Sequence, residues 1–197
     1  EKVKTAEDVR ALGINSGDFI CYDPKTVFTK SGFLKSRFLD DKLSAAIFLG
    51  VLKTINDNKI EPTNTVKFMF SAYEEVGHGM AYIPQEISEL IAVDMGCIGL
   101  DLNCTEYDVS ICAKDSSGPY DYELTTKLFN LAKDNNLNYV IDIYPQYGSD
   151  VSAALRGGND LRGACIGSGV AASHGMERAH IEGVENTFKL IMLYLTA

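Results

Sequence analysis

Chemistry-bearing side chains cluster at a few places in this sequence. Asp40 and Asp41 stand in Leu39-Asp40-Asp41-Lys42, ahead of an apolar stretch. Glu74 and Glu75 stand in Tyr73-Glu74-Glu75-Val76-Gly77, just after an alternating apolar run. Asp94 closes the run Leu90-Ile91-Ala92-Val93, and His174 lies in Ala172-Ser173-His174-Gly175. Taken singly, each has a structural explanation. Asp41 can cap a helix whose positive end Asp40 favours, the paired glutamates can sit in a solvated turn, and a loop histidine is often a surface residue. A carboxylate closing a buried strand is harder to explain, because burying a charge is costly without a partner. Asp40, Glu74, Glu75 and Asp94 all fall where a strand ends or a helix begins, so one rim of a sheet can gather them. Carboxylates packed that closely cannot all ionise without a cation. A divalent ion resolves the repulsion, and His174 gives the mixed nitrogen and oxygen donor set that zinc or cobalt accepts. Two ions sharing a carboxylate suit a hydrolase that activates water and stabilises an oxyanion.

The elements that must carry these residues follow from periodicity. Residues 5–12 read as a short helix capped by Thr5 and closed by Gly13. Short β pieces at 18–22, 26–29 and 32–35 follow, separated by Asp-Pro and Ser-Gly turn signals. From Asp40 onward helix and strand alternate. Residues 43–55 are apolar nearly all round and predict a buried helix. A strand is expected at 65–72, with Val66, Phe68 and Phe70 on one face, and others at 90–94, 107–113, 139–144 and 162–166. Residues 119–135 read as an amphipathic helix with Pro119 in its first turn and Leu124, Leu128, Leu131 and Ala132 facing inward. The last helix, at 183–195, carries Val184, Phe188, Ile191 and Leu195 at helical spacing. Alternation of this kind predicts the α/β class: a three-layer α/β/α arrangement with a mixed central sheet.

Composition narrows the function. The 197 residues suit one good-sized core, and 46% hydrophobic content excludes disorder. The apolar run 43–52 is about half the length of roughly 20 residues that a bilayer requires. A net charge of −9 with no basic cluster opposes binding to nucleic acid or anionic lipid. Five cysteines without Cys-x-x-Cys spacing fit reduced core thiols and a cytoplasmic location.

On these motifs the chain resembles the glutamyl-aminopeptidase-like family of co-catalytic zinc aminopeptidases, which includes the large tetrahedral aminopeptidases. The motifs are Leu39-Asp40-Asp41-Lys42, Glu74-Glu75-Val76-Gly77, Val93-Asp94-Met95-Gly96, Gly148-Ser149-Asp150 and Ser173-His174-Gly175, in family order. Lys42 and Ser44 stand where Arg and Gly are commoner in the family. The resemblance implies that Asp40 bridges two divalent ions, with a cis peptide to Asp41. It makes Glu74 the general base, puts Glu75 and His174 at one ion and Asp94 at the other, and sets Asp150 near the substrate. It also implies a peptide substrate, two ions per complete site (zinc first, with cobalt or manganese accepted) and homo-oligomers of the full-length enzyme. The family has a further histidine ligand upstream of the bridging aspartate, and no histidine precedes Asp40 here. The chain is therefore expected to be the C-terminal part of such an enzyme. Residues 1–38 would be the end of an inserted PDZ-like β domain, and 39–197 a catalytic domain incomplete at its N-terminus. Two alternatives remain beside a metal-dependent aminopeptidase: a metal-binding but inactive fragment, and a hydrolase of another small amide.

Overall fold

Residues whose apolar side chains alternate across two faces build a sheet with a helical layer on each side. The structure is a computed structural model that describes residues 3–197. The strands are β1 (Val27–Phe28), β2 (Phe33–Ser36), β3 (Glu89–Cys97), β4 (Val109–Asp115), β5 (Gly118–Pro119), β6 (Tyr139–Ile143), β7 (Arg162–Val170) and β8 (Glu177–His180). The helices are α1 (Ala6–Ala11), α2 (Leu39–Asn58), α3 (Tyr122–Asp134), α4 (Asp150–Arg156) and α5 (Ile181–Thr196). The main sheet runs β3-β7-β4-β5, with β6 also paired to β4. β3 and β7 are parallel, β7 and β4 antiparallel, and β4 and β6 parallel, so the sheet is mixed as expected.

Period-2 alternation divides the core. Val109 and Ile111 of β4 and Ala164 and Ile166 of β7 point to one face, where they pack with Ile47 and Val51 of α2, Leu124 and Leu128 of α3, and Leu190 of α5. Cys112 and Cys165, on the opposite face, pack with Val151 and Ala154 of α4. The expected three layers are present. Burial of Leu124, Leu128 and Ala132 follows the predicted inward face of α3, while Leu131 is only partly buried. Among the described residues, no helix is long and apolar enough to cross a membrane.

Several elements differ from the sequence reading. Residues 18–22 form no strand, and Phe19 is 96% exposed: its apolar neighbours find no ladder partner among the described residues. Residues 65–72 also lie outside any strand, although their alternation survives. Val66 and Phe68 pack on the helical core and Phe68 contacts Phe48 edge-on, but no backbone ladder forms. α2 is not buried all round; its face bearing Leu49 is 61% exposed at that residue, and Leu52 is exposed too. Pro119 belongs to β5, and α3 starts instead behind Asp121, whose carboxylate accepts from the Leu124 amide at 2.8 Å. β3 and β7 run further than expected, whereas α4 and β8 were not anticipated at all. β8 is short and polar and lacks an apolar signal. It pairs with β2 to make a second, three-stranded sheet of order β1-β2-β8.

Near the N-terminus Thr5 caps α1 through a reciprocal pair: its hydroxyl accepts from the Asp8 amide at 3.2 Å, and the Asp8 carboxylate accepts from the Thr5 amide at 3.0 Å. Gly13 follows with φ +79°, the left-handed geometry expected of a closing glycine.

Candidate metal centre

Three ends of chain meet at the carboxyl rim of the sheet. The first is the start of α2, where the Asp40–Asp41 peptide is cis and Asp41 Oδ1 accepts from the Ser44 amide at 3.3 Å. The second is a single turn of 3-10 helix, Glu74–Val76, directly after the extended run 65–72. The third is the loop between β7 and β8, in which His174 takes φ +62°. His174 Nε2 lies 3.1 Å from Glu75 Oε2 and 3.3 Å from Asp40 Oδ2. One ligand atom from each of Asp40, Glu75 and His174 falls within 4.8 Å of the others.

These separations, ordinary for salt bridges, also suit donors to one shared ion. Donors about 2.0–2.1 Å from one tetrahedral zinc lie about 3.3 Å apart. Two hard oxygens and one imidazole nitrogen also form a donor set that borderline divalent ions accept. Ser173 Oγ donates at 2.7 Å to Asp40 Oδ2, the same oxygen that faces His174. The imidazole is 70% exposed, so the cluster opens to solvent on the histidine side while Asp40 closes it from within.

Glu177 is a residue that the sequence reading missed. Only 1% exposed, it accepts from the Asp40 amide through Oε2 and from the His174 amide through Oε1, both at 3.0 Å. One buried carboxylate thus ties together the backbones of two cluster residues, its bond to Asp40 spanning 137 positions of chain. The available signal was its spacing three residues after His174, which also fits an ordinary loop contact.

Asp94 lies outside the three-residue cluster but near it. It is 7% exposed, and Oδ1 accepts from the Met95 amide at 2.7 Å. Burial, with added repulsion from Asp40 and Glu74, pushes its carboxyl up to about 8. Asp41 is raised well above the carboxylate range by burial and by the charge on Asp94. Glu74 is raised to about 7, first by burial and then by Asp150, Glu75 and Asp40. Glu75 is raised by burial and Asp40, with His174 acting in the opposite direction. A site whose carboxyls are pushed up together favours a cation.

Asp150 opens α4 behind the Ser149 cap, and burial raises its carboxyl against the opposing effect of Ser71 and the Met80 amide. Tyr120 and Ser152 hydroxyls donate to Asp115 Oδ2 at 2.7 and 2.6 Å and anchor the start of this helix. Gly79 lets the 3-10 turn sit close: a Cβ there would meet Asp150 Oδ1 at 2.3 Å and the Glu74 amide at 2.9 Å. The other histidines are engaged elsewhere. His180 donates from Nε2 to the Ser31 carbonyl at 2.9 Å and accepts at Nδ1 from Glu182, while His78 stacks on Tyr73.

A mixed-sheet α/β/α domain with a carboxylate and histidine cluster at its strand ends is the class that this architecture defines. The family model for the M42 glutamyl aminopeptidases matches residues 1–190, and the chain belongs to that family. It is 46% identical over 196 residues to YhfE of Bacillus subtilis (strain 168), a protein provisionally named an aminopeptidase. That match covers 99% of this chain and 57% of the relative, so the chain spans little more than half the relative's length. Among solved structures, the TET1 peptidase of Pyrococcus horikoshii, described as assembling into a tetrahedron or a large octahedral shell, superposes with a TM-score of 0.80 at 22% identity. That superposition covers 96% of this chain and 58% of TET1. Aminopeptidase APDkam598 of Desulfurococcus kamchatkensis gives 0.77 at 16% identity, covering 98% and 57%. At these identities the two structures share the fold.

Proposed function

We propose that this chain carries the main metal-binding part of an aminopeptidase that removes N-terminal residues from peptides. The observation that supports this most is the Asp40, Glu75 and His174 cluster lying beside Glu74, whose carboxyl sits near 7. A divalent ion held by those three residues, zinc first and cobalt or manganese as alternatives, supplies Lewis acidity toward water and a peptide carbonyl. Glu74 acts as general base: a carboxyl near 7 is half ionised at neutral pH, so it takes a proton from water and returns it to the leaving amine. Asp40, nearly closed from solvent and held by Ser173 and Glu177, would be shared with a second ion for which Asp94 would be a ligand. The dense negative charge of the rim favours the ammonium of a free peptide N-terminus. Asp150, behind Glu74, sets the electrostatics of the base and borders the substrate.

The family is in general metal-dependent. In the whole protein, residues 1–38 would close a small β domain, and the subunits would form a homo-oligomer. Cys104, Cys112 and Cys165 are buried thiols of the kind that suits the reducing cytoplasm, whereas Cys97 is half-buried and Cys21, against the expectation of a core thiol, is exposed. Only one three-residue cluster is present among the described residues, which favours weak or no turnover by the 197-residue chain alone. The test is hydrolysis of an aminoacyl-anilide by the full-length protein, stripped with chelator and then given zinc. Activity that returns with zinc supports the reading. Full activity in chelator overturns it, and zinc binding without hydrolysis by the full-length protein assigns it to the inactive metal-binding class.

A further inference from the structure

Asp115, the last residue of β4, is a buried carboxylate that takes no part in the metal cluster. It is 1% exposed, and among the described residues no Lys, Arg or His pairs with its side chain. Donors from three segments surround it instead. Oδ1 accepts from the Ser117 amide at 2.7 Å and the Ser117 hydroxyl at 2.6 Å, in the turn between β4 and β5. Oδ2 accepts from Tyr120, just beyond β5, and from Ser152 of α4. Burial pushes the carboxyl up, but the hydrogen bonds from Ser117, Ser152 and Tyr120 outweigh it and hold the group below its ordinary value. Asp115 is therefore an anion at neutral pH, and a carboxylate anion only accepts.

That constraint sets the direction of the hydrogen bonds around it. Tyr120 Oη and Ser152 Oγ each point their one hydrogen at Oδ2 and turn their lone pairs toward Ser149. Ser149 Oγ then donates to Tyr120 Oη at 2.8 Å and accepts from the Val151 amide at 3.3 Å. The Ser149 amide donates to Ser152 Oγ at 3.4 Å. The same turn clamps the chain just before: the Tyr147 carbonyl accepts from the Ser116 amide at 2.9 Å and the Ser116 hydroxyl at 2.6 Å. Between the two fixed amides stands Asp150. Its Oδ1 is buried without a hydrogen-bond partner, so the backbone beneath it decides where it stands. That place is against the Glu74 turn, since a Cβ on Gly79 would meet Asp150 Oδ1, Ser71 Oγ and the Glu74 amide all within 2.9 Å. On the reading of Glu74 as base and Asp150 as its neighbour at the substrate, we propose that Asp115 is a positioning residue for this site. The polarity it imposes on Tyr120, Ser149 and Ser152 holds the Asp150 carboxylate beside Glu74.

Asp115→Asn keeps the shape of the side chain but puts donor hydrogens where Oδ2 accepts, so Tyr120 and Ser152 must reverse. In the full-length protein, assayed with zinc on an aminoacyl-anilide, it should lower kcat/KM by about 10- to 100-fold, the scale of a displaced group, with zinc affinity unchanged. In an Asp150→Asn background the same substitution should add less than about twofold, because the group it positions is already gone. An equal loss in both backgrounds would make Asp115 structural only, and no loss in the first would make it idle; either overturns the proposal. A second readout needs no turnover. In this chain under chelator, the NMR titration of the Asp150 carboxyl carbon should have its midpoint displaced by Asp115→Asn and by the milder Tyr120→Phe, which removes one donor and leaves the anion. A midpoint unmoved in Tyr120→Phe overturns the proposal, even where Asp115→Asn fails to fold. A full-length protein without hydrolysis counts against the aminopeptidase reading, and the Asp150 titration still decides the role of Asp115.

Discussion

His174 holds the candidate cluster together, being the residue within 3.3 Å of both carboxylates. Glu75→Ala or His174→Ala should each abolish tight zinc binding measured by calorimetry, because three protein ligands are the usual complement for a catalytic zinc. Unchanged affinity in both variants would move the site elsewhere. Glu74→Gln in the full-length protein should keep zinc binding and lose about 10²–10⁴-fold in kcat, since an amide cannot take the proton. Near-normal turnover would assign the base to another group. The raised carboxyls also set a pH dependence for the metal-free chain. Folding moves Glu74 from 4.5 to about 7 and Asp94 from 3.8 to about 8, mainly by burial. The unfolded chain releases these protons first, so their contribution is complete below the ordinary carboxylate values and is lost as pH rises through the folded ones. Thermal unfolding in chelator should therefore show Tm falling from about pH 5 to about pH 9, and Asp94→Asn should flatten the fall. An equal slope in that variant would show that Asp94 is not the source. Most of the proposed site was readable from residue type and position, because carboxylates at strand ends stand out against apolar runs. Glu177 was not, since nothing local distinguishes a carboxylate that turns inward to two backbone amides from one in solvent.

Helices were easier to read than strands, for a physical reason. α3 and α5 announce themselves by apolar spacing within one segment, whereas a strand exists only once a neighbour pairs with it. Residues 65–72 have the alternation of a strand and pack as one, yet form no ladder, while polar β8 forms a ladder with no alternation to reveal it. Pro119 misled in a similar way, because proline suits both a helix start and an edge strand. The packing of α3 predicts a large local effect. Leu128 is fully buried, and Leu128→Ala should cost about 2–5 kcal/mol in urea unfolding. A loss well below that range would mean the α3 layer collapses around the cavity. Gly79→Ala acts on the 3-10 turn instead, by driving a methyl group toward Asp150 and the Glu74 amide. Its expected outcome is reduced kcat in the full-length protein with zinc affinity retained; unchanged kinetics would show that the turn can shift without moving Glu74.

With the domain taken as one body, zinc becomes a term in folding. The 197-residue chain should take up one tightly held ion, counted by equilibrium dialysis, and two tight ions would mean that another residue completes a second site. Free zinc at a hundred times its Kd should stabilise the chain by about 2.7 kcal/mol if the unfolded chain binds none. Glu177→Ala should remove much of that gain and leave two buried amides unpaired, each worth about 1–3 kcal/mol. The three-layer architecture was legible as a whole because each helix and strand of it repeats one pattern. The small β1-β2-β8 sheet was not, because it joins segments from opposite ends of the sequence. That junction and the Glu177 tether imply an order of events. The segments bearing Asp40, Glu75 and His174 are far apart along the chain, and the last can be placed only when β8 has docked beside β2 and Glu177 has turned inward. A nascent chain whose β8 has not docked would therefore offer zinc two carboxylates without a positioned His174. Cation capture then becomes a late event in biogenesis, and it reports that both ends of the molecule have found each other.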